Sequence, residues 1–166
     1  MAYEPWQPGM TVTAGRLLSI SPTWQEWTPI WTTTGASTPN FGNSAVSARW
    51  AQSALTVFYR VDIAFGSTTN FGSGTDNWQM SAPVAAPTTS GIVGFGEIQN
   101  TSSPGSRQPI RVRLGTTQGF QFEMAGGNIA ATSTTTGAGL IDASTPGAWS
   151  AGNSSLRFWG TYEAAP

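Results

Sequence analysis

The chain has 166 residues, a net charge of −1, no cysteine and no histidine, and all seven of its basic residues are arginine. Those absences remove the Ser-His-Asp triad, the cysteine nucleophile and the ordinary zinc site. The balanced charge offers no electrostatic footprint for nucleic acid, and no run approaches the ~18 apolar residues of a membrane span.

Only 9% of the residues are charged, against a usual ~25%. The length suits one domain with a real core. The opening "MAYEPWQPGM" lacks the basic n-region and apolar h-region of a signal peptide. No disulfide framework is possible, so cysteine usage says nothing about redox compartment.

Residues 1–27 differ from the rest. They carry Trp6, Trp24 and Trp27 with Pro5, Pro8 and Pro22. Only "TAGRLLSI" has helical character, with Thr13 as N-cap. A segment this short cannot bury three indoles by itself. It reads as an arm that docks on a partner surface, with Trp6, Leu17, Leu18 and Trp24 as anchors. The domain proper is expected over 28–166.

From "TPIWTTTG" onward the pattern is β. In "SAVSARWAQ", Val46, Ala48 and Trp50 share one face. In "ALTVFYRVDIAF", Leu55, Val57, Tyr59, Val61, Ile63 and Phe65 fall on the inward face at period two. "FGSTTNFGSG" follows. Its Gly66, Gly72 and Gly74 fit neither the phosphate-loop nor the dinucleotide spacing, so it reads as a connection between strands. Trp78, Met80 and Ala82 then alternate as another strand.

"SGIVGFGEIQ" sets Val93, Phe95 and Glu97 against Ile92, Gly94, Gly96 and Ile98. Ile110, Val112 and Leu114 point opposite to Arg111 and Arg113. Phe120, Phe122 and Met124 point inward against Gln121 and Glu123. Residues 130–153 form a long loop or a weakly patterned strand. The last run places Leu156, Phe158 and Tyr162 opposite Arg157, Trp159 and Glu163.

About eight short runs separated by Gly, Pro, Asn and Ser clusters predict an all-β fold. The expected form is a jelly-roll-like antiparallel sandwich with an extended N-terminal arm. An immunoglobulin-like sandwich is the main rival, but its Cys…Trp…Cys signature is absent. Large residues on both faces, notably Phe58 and Trp159, point to coverage by an arm or a neighbouring subunit.

Chemistry would have to come from carboxylates: Asp62, Asp76, Glu97, Glu123 and Asp142. None sits in a motif, and they read as solvated or hydrogen-bonded surface groups. No catalytic, cofactor or metal residue is assigned, and the chain is not read as an enzyme.

The Trp27-Thr28-Pro29-Ile30-Trp31 opening, the Asn40-Phe41-Gly42-Asn43 turn and Arg49-Trp50 are the first part of a wider pattern. "FGSTT", the Gly72 to Pro83 strand and the closing "AWSAGNSSLRFWGTYEAA" complete it. Together they resemble a module of virion proteins from phages that infect actinobacteria, usually labelled minor tail protein or tail fibre. "PWQPGMTVTAGRLLSISP" is similar to the head segment that often precedes that module.

The resemblance spans most of the chain. It rests on turn and core residues, so it is specific for fold and weak for function. It implies a virion structural protein, a fibre or decoration module of tail or capsid, located on the virion. A homotrimer anchored to other virion proteins through the arm is expected, with no cofactor. The alternative is a carbohydrate-binding module for a host cell-wall glycan, with Trp78, Trp149 and Trp159 as the stacking candidates.

Overall fold

The computed structural model describes residues 9–11, 13–15, 21–89, 91–126 and 139–166. The anchors Trp6, Leu17 and Leu18 lie outside these residues, as does most of the helix expected over "TAGRLLSI". Among the described residues there are nine strands: β1 (Gln25–Glu26), β2 (Trp31–Thr33), β3 (Ala45–Ser53), β4 (Thr56–Ala64), β5 (Trp78–Ser81), β6 (Ile92–Gln99), β7 (Arg107–Thr116), β8 (Gly119–Met124) and β9 (Ser155–Glu163). They pair antiparallel in the order β1-β3-β4-β9-β6-β7-β8-β5-β2.

The fold is therefore all-β and antiparallel, as expected, with one strand more than the eight or so read from the sequence. Its packed layers are two halves of one curled sheet, linked by continuous hydrogen bonding. Four strand steps separate β4 from β8, about 19 Å on a flat sheet. Yet the Tyr59 and Phe120 rings lie 4.5 Å apart by centroid. Only a sheet rolled onto its own apolar face can bring them together.

The two outer strands are joined by a very short piece of chain. β1 lies beside β3 and β2 beside β5, with only Trp27 to Ile30 between them. Trp27 N–H donates to the Ala48 carbonyl at 3.1 Å. Ile30 N–H donates to Ser81 Oγ at 2.8 Å, and Ser81 N–H returns to the Ile30 carbonyl at 2.9 Å. The five steps from Glu26 to Trp31 reach at most about 18 Å. This strap ties the sheet edges together, and Pro29 keeps the ladder from running on. Gln25 and Glu26, read as part of the arm, thus belong to the sheet.

In β4 and β9, alternation places the core as the sequence predicts, with one exception. Val57, Tyr59, Val61, Ile63 and Phe65 are all buried, but Leu55 is 42% exposed. Leu55 follows Ala54, whose φ of 51° marks the tight turn from β3 to β4. The period-two pattern runs on into the turn, where the pleat no longer sets direction. Leu156, Phe158 and Tyr162 of β9 are buried as expected.

In β6 the inner face is made largely of glycine. Gly94 and Gly96 face inward, and Ile92 is 40% exposed because the register shifts between Ile92 and Gly94. A Cβ on Gly94 would strike the Tyr59 hydroxyl and the Trp159 carbonyl. The glycines let β6 and β9 close over Tyr59, whose hydroxyl donates to the Val93 carbonyl at 3.2 Å.

Candidate functional site

The glycine-rich stretch 66–74 is consumed by its own structure. Asn40-Phe41-Gly42 and Asn70-Phe71-Gly72 form twin turns that pair through an Asn40–Asn70 bridge. The Asn43 side-chain carbonyl accepts from Thr68 N–H and from the Thr68 hydroxyl, both at 2.9 Å. Asn43 N–H donates back to Thr68 Oγ1 at 2.9 Å. Ser44 and Thr69 share a hydroxyl contact at 2.7 Å, and Thr69 donates to the Phe41 carbonyl at 3.0 Å. The polar groups that would grip a ligand are spent on holding the two loops together.

Beneath these turns sits an aromatic cluster, and it claims two of the three tryptophans considered for glycan stacking. Trp78 is fully buried. It meets Trp31 edge-on at 4.7 Å and Trp149 at 4.6 Å. Trp149 is half-buried, also packs on Phe65 and Phe71, and donates its indole N–H to the Asp142 carbonyl at 3.0 Å. Trp78 is a core residue with no face left for a sugar, and Trp149 packs against the core with its indole N–H already bonded. The repeated Asn-Phe-Gly triplet was the sequence signal for this arrangement, since Phe41 and Phe71 both pack on Trp31.

Trp159 is different. It stands on the convex face, 53% exposed, directly opposite Phe95, which is 58% exposed. Neither ring touches another aromatic among the described residues, whereas the core rings pack on one another. Cross-strand pairing places them in one outer rung: Glu26, Arg49, Arg60, Trp159, Phe95, Arg111, Glu123, running from β1 to β8. The neighbouring outer rung is Ser47, Asp62, Arg157, Glu97 and Pro109.

Several of these side chains form an ion-pair network in which, among the described residues, Arg49 takes no part. Arg60 Nε meets Asp62 at 2.9 Å. Arg157 bridges Asp62 at 3.5 Å and Glu97 at 3.2 Å, and Arg107 approaches Glu97 at 3.9 Å. The pairs are largely solvated, so each contributes only about 0–1 kcal/mol. Their main effect is to fix guanidinium and carboxylate groups beside the two rings. An open concavity of about 410 Å³ adjoins them, lined by Ser47, Asp62, Ala64 and Arg157 among others.

The carboxylates divide. Asp62 and Glu97 are partly solvated, as expected, and Asp76 accepts from Ser37 N–H at 3.0 Å. Glu123 and Asp142 are buried, which corrects their reading as surface groups. Glu123 lies under Arg113, at 2.7 Å, and Arg111, at 3.7 Å. The Asp142 side chain accepts from Ser144 and Thr145 N–H, both at 2.6 Å. Strand alternation marked Glu123 as outward, which it is, but the two arginine side chains of β7 roof it over. Among the described residues no cluster of three or more acidic side chains is placed to hold a metal ion.

Fold and face together define a curled antiparallel β-module with an exposed aromatic and charge-paired surface. Comparison of the chain with protein-family models, with curated proteins and with solved structures gives no match.

Proposed function

We propose that this chain is a structural module of a phage particle, a fibre or decoration domain of the tail or capsid. In this reading it assembles as a homotrimer, is anchored to other virion proteins through its N-terminal segment, and acts by binding rather than catalysis. The observation that carries the reading is the exposure of large apolar side chains where that segment enters the sheet. Trp24, just before β1, is 53% exposed, and Ile30, at the end of the strap that leads into β2, is 66% exposed. Apolar surface of this kind, next to polar strands, marks a contact surface. A closed threefold assembly would cover it on every copy. The resemblance to tail-fibre modules points the same way.

The test is the mass of the purified protein by light scattering, with the subunit stoichiometry of the particle. A trimer is expected, and Trp24→Ala with Ile30→Ser should weaken it. Deletion of residues 1–20 should leave the circular dichroism spectrum intact while abolishing incorporation into the particle. A monomer with no threefold arrangement in the particle sinks the proposal, as does wild-type incorporation of the truncated protein.

A further inference from the structure

We draw no further inference here: the strongest candidate, the convex-face patch of Trp159, Phe95 and the arginines around them, is open to solvent, but nothing in the structure shows what covers it.

Discussion

Asn40 and Asn70 exchange a pair of backbone hydrogen bonds, at 2.7 and 2.9 Å, while each turns its side-chain carbonyl to the N–H of the glycine two residues ahead. The Gly42 bond is 2.7 Å and the Gly72 bond 2.9 Å, and both glycines have positive φ, 56° and 79°. The pair fastens the loop before β3 to the loop after β4 and seats Phe41 and Phe71 on Trp31. Asn40→Ala or Asn70→Ala should each cost about 1 kcal/mol through one lost hydrogen bond. Gly42→Ala should cost at least about 2 kcal/mol, because a Cβ there meets the Thr68 backbone carbonyl as well as carrying the left-handed penalty. Urea titration reads all three, and a Gly42→Ala variant as stable as wild type would contradict the packing described.

Gly160 should be the least replaceable glycine of the core. A Cβ there would lie 2.6 Å from Gly94 Cα and 2.7 Å from the Tyr59 hydroxyl, and closer still to the Val93 carbonyl. Two of these three neighbours are backbone and cannot swing aside. Gly160→Ala is expected to cost about 3 kcal/mol. Adding Tyr59→Phe should recover only a small part of it. Full recovery would show that the hydroxyl alone set the spacing of β6 and β9.

Ala54 is the only non-glycine residue with positive φ among the described residues. The left-handed region costs an alanine about 1–2 kcal/mol, of which glycine's greater freedom in the unfolded chain returns roughly half. Ala54→Gly should therefore stabilise the protein by about 0.5–1 kcal/mol. Thermal melting should show a higher Tm, and an unchanged or lower Tm would count against the turn geometry.

Burial raises the Tyr162 hydroxyl from its ordinary 10 to about 12, partly offset by the hydrogen bond its oxygen accepts from Val84 N–H at 3.1 Å. Burial raises Tyr59 further, with the nearby Tyr162 adding to the effect. Both folded values exceed the unfolded one, so the folded state keeps protons that the unfolded chain releases. The stability they contribute is complete below pH 10 and falls as pH rises from 10 towards 12 and beyond. The slope should be about 1.4 kcal/mol per pH unit for each tyrosine. Urea midpoints at about pH 9 and about pH 11 check it. Tyr162→Phe should reduce the slope, and phenolate absorbance from Tyr59 should appear only with unfolding.

Local alternation was enough to place Val57, Tyr59, Val61, Ile63 and Phe65, and Leu156, Phe158 and Tyr162, because side-chain direction in a strand follows from the pleat alone. The turn reading of "FGSTTNFGSG" rested on equally local information, glycine spacing and the residues on either side. What covers a face is not local. Trp78, Trp149 and Trp159 are the same residue type in similar surroundings, and only the curl of the sheet sends the first two into the aromatic cluster and leaves the third on the convex side. Gly94, Gly96 and Gly160 carry no hydrophobic signal, yet they set how closely β6 and β9 approach. Glu123 points outward as its pattern requires and is buried because the register of β7 against β8 sets Arg111 directly opposite it. The sequence alone determined the strands and their inner faces through backbone geometry. The tertiary structure decided which outward side chains stay in water, because that depends on partners brought together from distant parts of the chain.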